Sequence, residues 1–264
     1  MKIVVFDLDE TLGYFTEFGI FWECLNNYYK ITNNCALNQT NFNHIFDLFP
    51  EFIRPNIINI LNYLKEQKQK GICYKIMIYT NNNGSKTWVN HIISYFEEKI
   101  QFKLFDQIIY AFKINGKIVE ISRTTSNKTY HDFIKCTKLP ANAEICVLDD
   151  TLHNEMIADN VYYINIKPYI YQLPVEYMIK NYKETEKHKI DEQFENFIIT
   201  DFNKYNYKIS KKDPKEYEID IILGKQILVH LNDFFYKTNK SKTIKKRSIY
   251  HKFNKNANKT QRKI

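Results

Sequence analysis

The stretch Ile3-Val4-Val5-Phe6-Asp7-Leu8-Asp9-Glu10-Thr11-Leu12 sets an apolar, largely β-branched run directly ahead of two carboxylates and a hydroxyl. Ile3 to Phe6 is the kind of run that forms a strand covered on both faces, as the strands of a parallel sheet are. In open parallel α/β sheets the ligand crevice lies beyond the carboxyl ends of the strands, so a strand ending at Phe6 would deliver Asp7 and Asp9 into it. Carboxylates at positions i and i+2 of a strand exit can share one divalent cation, one through its side chain and the other through its backbone carbonyl. Mg²⁺ suits such a place, being a hard ion held by few protein oxygens together with substrate phosphate. The first expectation is thus an α/β fold with chemistry at Asp7 and Asp9.

The string Asp7-Leu8-Asp9-Glu10-Thr11-Leu12 resembles the first motif of the haloacid dehalogenase (HAD) superfamily. More narrowly it is similar to the version in phosphatases that act on the C-terminal domain of the large subunit of RNA polymerase II. The resemblance implies a Rossmann-like parallel sheet flanked by helices, with a minimal cap. It also implies that Asp7 is a nucleophile forming an aspartyl-phosphate, while Asp9 protonates the leaving oxygen and later activates water. Three more elements are then expected at later strand ends. Tyr74 to Tyr79 is a strand-like run that ends in Thr80-Asn81-Asn82-Asn83-Gly84. A hydroxyl and successive backbone N–H groups there could hold a phosphoryl oxygen, which makes Thr80 and Asn81, with the Thr11 hydroxyl, the phosphate-binding candidates. The plain alternative is a polar Asn-Gly turn.

Glu144 to Leu148 is a third buried-type run and delivers Asp149-Asp150, followed by Thr151 and Asn154. Adjacent acids repel and raise one another's pKa unless a cation lies beside them, and a metal shared with Asp7 would remove that cost. The resemblance implies Asp150 as the direct Mg²⁺ ligand and Asp149 as the residue that orients a lysine, with the swapped assignment open. For that lysine, which would offset the charge of carboxylates and phosphate and with Thr80 hold the phosphoryl oxygens, the expectation is Lys128, with Lys117 and Lys135 behind it. Lys128 precedes a helical pattern in which Ser126 or Asn127 would be the cap and Tyr130, Phe133 and Ile134 would face inward. Phe52-Ile53-Arg54-Pro55-Asn56 leads into Ile57, Ile58, Ile60, Leu61 and Leu64, a helical apolar pattern. It resembles the Arg-Pro-Gly segment of the polymerase-tail phosphatases, with Asn56 where Gly is usual and Thr80-Asn81 where Thr-Ala is frequent. The resemblance spans residues 1 to 172.

The chain divides into three regions: a domain over 1–174 that the resemblance implies is HAD-like, a mainly helical extension over 175–236, and a basic, flexible tail over 237–264. In the first, the aromatics Tyr14, Phe15, Phe18, Phe21, Trp22, Tyr28 and Tyr29 occupy the stretch where a HAD protein carries its flap, although most are expected in the core. In the extension, Ile227, Leu228, Leu231, Phe234 and Phe235 fall at helical spacing. The tail holds eleven Lys or Arg and no acid, so the net charge of +8 leaves a body of about −3 and confines the basicity to the tail. Such a tail could contact nucleic acid or an acidic partner. The five scattered cysteines form no Cys-x-x-Cys pair, which reads as a reduced protein without a zinc site. No apolar run is long enough to span a bilayer, and the chain enters its first strand at once, so an intracellular protein, cytoplasmic or nuclear, without membrane contact or signal peptide is expected. The expected activity is a Mg²⁺-dependent phosphatase acting on phosphoserine or phosphothreonine in a protein segment. The alternatives are a phosphatase of nucleic-acid ends or nucleotides, and a catalytically weak binding module of the same fold.

Overall fold

The computed structural model describes residues 1–32, 35–185 and 193–237, together with the backbone of 247–248. Five parallel strands form the central sheet: β1 (Lys2–Phe6), β2 (Lys75–Tyr79), β3 (Gln107–Ile109), β6 (Glu144–Asp149) and β7 (Val161–Asn165), in the order β3-β2-β1-β6-β7. Arg247–Ser248 adds a two-residue parallel pairing at the outer edge of β7. A short hairpin, β4 (Lys113–Ile114) with β5 (Lys117–Ile118), lies apart from the sheet. The chain runs outward from β1 through β2 to β3, then returns to the other side of β1 for β6 and β7. Strand order therefore reverses at β1, and in such sheets the crevice opens at that reversal.

The strands are covered on both faces, as their unbroken apolar runs require. Val4, Phe6, Ile76, Ile78, Cys146, Leu148 and Ile164 belong to one large core with residues of α1 (Thr16–Thr32), α2 (Gln39–Phe46), α3 (Ile57–Gln69), α4 (Lys86–Lys99), α6 (Val175–Thr185), α7 (Phe194–Asn203) and α8 (Pro214–Tyr236). Ile3, Val5, Met77, Tyr79, Ile145, Val147 and Tyr163 face the opposite way, into a smaller core closed by Phe133 of α5 (Tyr130–Thr137) and by Met156. Tertiary packing decides several local details. The cap of α5 is Thr129, whose side chain accepts the Asp132 N–H, rather than Ser126 or Asn127. Those two residues instead give their carbonyls to Arg123.

The aromatic stretch after Thr11 is core and not a cap over the site. Phe18 sits 4.6–6.2 Å from the rings of Phe42, Phe46, Phe49, Phe52 and Trp88. Burial of that many rings fixes α1 and α2 to α4, so only the turn from Glu10 to Thr16 remains beside the crevice. The C-terminal helices join the same core: Tyr28 of α1 lies 4.9 Å from Phe194 of α7, and Ile227, Leu231, Phe234 and Phe235 of α8 are buried. No helix among the described residues is long and apolar enough to cross a membrane. The basic tail lies outside the described residues beyond Lys237, save for the backbone of 247–248.

Candidate active site

Asp7 follows β1 and continues its ladder by one bond, its N–H donating to Leu148 O at 2.9 Å, which sets Asp7 beside Asp149 at the end of β6. Lys128 lies between the two carboxylates, with Nζ 2.5 Å from Asp7 Oδ1 and 2.7 Å from Asp149 Oδ2. Its side chain is 4% exposed, so this is a buried ion triplet rather than a solvated contact. Burial alone would lower the Lys128 pKa, but Asp7 and Asp149 outweigh it and hold the ammonium above its ordinary value. Burial also pushes Asp149 up, as it does Asp150, where the charge of Asp7 adds to the effect. The lysine is charged, held so by its direct contacts with two carboxylates. Lys117 and Lys135 are exposed, and neither lines the cavity that these acids share.

Each carboxylate is held differently. Asp149 spends one oxygen on Lys128 and the other on the Thr151 N–H at 2.9 Å. Asp150 meets only hydroxyls, Thr11 Oγ1 at 3.3 Å and Thr151 Oγ1 at 3.4 Å, and is the less engaged of the pair. Thr11 Oγ1 also lies 3.5 Å from Asp7 Oδ2 and accepts the Asp150 N–H at 3.2 Å, so one hydroxyl ties the first motif to the last. One oxygen from each of Asp7, Asp149 and Asp150 falls within 4.8 Å of the others. Three hard oxygen donors facing a single ammonium fit a small divalent cation, and Mg²⁺ is the ordinary choice for that donor set.

Asp9 is not in this cluster through its side chain. Its carboxylate accepts from Asn82 Nδ2 at 2.8 Å across the crevice, and its pKa is raised to about 7, first by burial and then by Asp7. Thr80 is fully buried beneath the crevice, with its hydroxyl accepting the Asn82 N–H at 2.9 Å. The wall on that side is Asn81, Asn82 and Asn83, which with Asp7, Asp9, Glu10, Thr16, Lys128, Asp149, Asp150, Thr151 and His153 line a cavity of about 490 Å³. His153 has its pKa lowered to about 4, by burial and then by Lys128, and is neutral near pH 7.

Two arginines that the motifs do not single out for chemistry hold the turns in place. Arg123 is buried and donates to Thr80 O at 3.0 Å, Tyr110 O at 2.8 Å, Asn81 Oδ1 at 2.7 Å, Ser126 O at 3.1 Å and Asn127 O at 3.2 Å. It thereby fastens the Thr80 turn to the segment that delivers Lys128. Arg54 does the same for the first motif, donating to Thr11 O at 2.6 Å, to Lys167 O at 2.8 Å and to Glu10 O. Glu10 itself takes a left-handed backbone, φ 56°, which turns the chain sharply after Asp9. A sequence signal for both residues exists in hindsight: of 38 Lys and Arg only four are Arg, and the two outside the tail are these.

No protein-family model matches the chain, and no curated protein matches it in sequence.

Proposed function

We propose that the chain is a Mg²⁺-dependent phosphatase of the HAD type, working through a phosphoryl group carried on Asp7. The observation that carries this reading is the buried arrangement of Lys128 between Asp7 and Asp149, with Asp150 within 4.8 Å and Asp9 across the crevice. An ammonium held beside a carboxylate that must approach an anionic phosphate offsets the charge of both, and positioning with charge stabilisation is most of catalysis in phosphoryl transfer. In the first step an Asp7 carboxylate oxygen bonds to phosphorus, the bond from phosphorus to the leaving oxygen breaks, and Asp9 gives that oxygen its proton. In the second, Asp9 takes a proton from water, the water oxygen bonds to phosphorus, and the Asp7–phosphorus linkage breaks to release phosphate and restore both carboxyl groups. Asp7 and Asp150, with the Asp9 carbonyl, would hold the cation, which supplies further charge stabilisation when bound. Lys128 and the Asn81–Asn83 turn would receive phosphoryl oxygens.

The substrate class we favour is phosphoserine or phosphothreonine in an extended protein segment, on the likeness of Asp7 to Leu12 and of Arg54-Pro55 to the polymerase-tail phosphatases. The cavity suits a protruding phosphate, since no separate cap covers it among the described residues. Hydrolysis of p-nitrophenyl phosphate with Mg²⁺ over pH 5 to 8 tests the reading. Asp7→Asn is expected to reduce the rate by roughly 10³-fold or more, as loss of a nucleophile does. No activity of the intact chain above that variant would refute the phosphatase and leave a phosphate-binding module. Competition of phosphopeptides against 3′- and 5′-phosphorylated oligonucleotides then separates the substrate classes.

A further inference from the structure

Behind the first motif lies a second charged cluster, built by the C-terminal helix. Arg54 is buried, and while Nε and Nη2 bond to the carbonyls of Glu10, Thr11 and Lys167, its Nη1 has no hydrogen-bond partner. Asp220 of α8 is fully buried, with its carboxylate 2.5 Å from Lys212 Nζ and 3.9 Å from Lys167 Nζ. The Tyr169 ring meets both cations, 5.5 Å from the Arg54 guanidinium and 4.7 Å from Lys212 Nζ, and the Tyr169 backbone N–H donates to Glu10 O at 2.9 Å. One turn further along α8, a Cβ at Gly224 would stand 2.4 Å from Pro55 O, and Asn56 Nδ2 donates to Gly224 O at 3.2 Å. The helix thus touches the Arg54–Asn56 segment through both charge and backbone.

Asp220 reaches the first motif through the 167–169 segment: Lys167, whose Nζ lies 3.9 Å from Asp220, gives its carbonyl to Arg54 Nη2 at 2.8 Å, and the Tyr169 N–H holds Glu10 O at 2.9 Å. A buried carboxylate removed from such a cluster leaves its cations uncompensated, which is costly, and the segment that carries them must shift. We propose that Asp220 is a positioning residue of the active site. Through Lys167 and Tyr169 it holds from behind the segment that grips Arg54 and Glu10, and so fixes the Glu10–Thr11 turn whose hydroxyl meets Asp7 and Asp150. On this view α8 is a working part of the site.

The inference rests on the proposed metal site in both arms and on the proposed hydrolysis only in its kinetic arm; Mn²⁺ serves as a spectroscopic stand-in for Mg²⁺. In the full chain, Asp220→Asn keeps the shape of the side chain and removes its charge. Mn²⁺ affinity, read by electron paramagnetic resonance, is expected to fall about tenfold, in the range seen when groups supporting metal ligands are lost. For p-nitrophenyl phosphate kcat falls by a similar factor while KM stays within about twofold, and Asp220→Glu regains most of both. Asp233→Asn is the control, an acid of the same helix that pairs with Lys237 at 2.6 Å and is expected to change neither readout. Unchanged Mn²⁺ affinity in Asp220→Asn, or an equal change in Asp233→Asn, overturns the proposal. If Asp220→Asn does not fold, Gly224→Ala reads the same path from the backbone side, and unchanged Mn²⁺ affinity there overturns it. An intact chain that binds Mn²⁺ without hydrolysing phosphate refutes the phosphatase alone, whereas one that does not bind Mn²⁺ refutes both.

Discussion

Lys128→Met is the sharpest probe of the buried triplet, because it removes the cation while keeping most of the side-chain volume. Lys128 contacts Asp7 at 2.5 Å and Asp149 at 2.7 Å, and the two carboxylate side chains are only 10% and 2% exposed. Breaking a buried pair by removing one partner costs about 3–5 kcal/mol, since the remaining charge has no water to turn to. Against a typical stability of about 5–15 kcal/mol the variant would be marginal. The deficit depends on pH. Burial already raises the Asp149 pKa, and without Lys128 it rises further, because the attraction is lost while the repulsion from Asp7 stays. An acid whose folded pKa exceeds its unfolded one binds more protons when folded, so its contribution falls as pH rises through that interval. The loss in Lys128→Met is therefore largest near pH 8 and shrinks toward pH 5. Saturating Mg²⁺ narrows it at pH 8, since an ion that binds only the folded chain stabilises it. Urea unfolding followed by the fluorescence of Trp22 and Trp88, which pack in the main core, measures each term. A deficit equal at pH 5 and pH 8 would refute the argument that unpaired carboxylate charge is its source.

Glu17 is buried at the start of α1, one oxygen accepting the Leu173 N–H at 2.9 Å and the other without a partner, and burial raises its pKa from 4.5 to about 7. Because the folded value is the higher, stability from this group is complete below pH 4.5 and lost as pH rises through 7, by about 3 kcal/mol at 1.36 kcal/mol per unit. Glu17→Gln should remove that slope, and parallel pH–stability profiles of the two chains would contradict it. Arg123→Lys should cost about 2–3 kcal/mol in urea unfolding and lower the Mg²⁺-dependent rate, because an ammonium cannot reach five acceptors that a planar fork serves. An unchanged midpoint would show that the carbonyls around it do not need the guanidinium.

The strands and the acids at their ends were legible because both signals are local. A run such as Ile3 to Phe6 admits few environments other than a strand with two covered faces, and Asp7 and Asp149 follow their strands without a break. Asn56 was legible as a departure from the expected glycine, and its backbone explains the tolerance: φ is 69°, a left-handed conformation that Asn adopts more readily than other side chains. The aromatic stretch over α1 was open between flap and core, since a ring at helical spacing carries no mark of which surface it will meet. Its assignment needed Phe42, Phe46, Phe49 and Phe52 to arrive from elsewhere in the chain. The burial of Asp220 was not legible at all. An acid in a charged helical stretch reads as solvent-facing, and it is the approach of Lys212 and Lys167 that makes its burial tolerable.

The choice of cations follows from what each must hold. Lys128 faces two carboxylates across the crevice, and on the proposed function a compact ammonium on a flexible stem leaves room there for a phosphate. Behind the crevice the groups to be held are carbonyls of irregular turns, at Glu10, Thr11, Thr80, Tyr110, Ser126, Asn127 and Lys167, which no strand or helix ladder satisfies. A buried carbonyl without a donor is costly, and a planar guanidinium can serve several from one point. In a chain so rich in lysine, Arg54 and Arg123 stand at these two points, where a planar fork serves several carbonyls and an ammonium could not. The Glu10–Thr11 turn, the Thr80 turn and the segment that delivers Lys128 are thus fastened by two buried forks, and on the proposal above Asp220 supports one of them from behind.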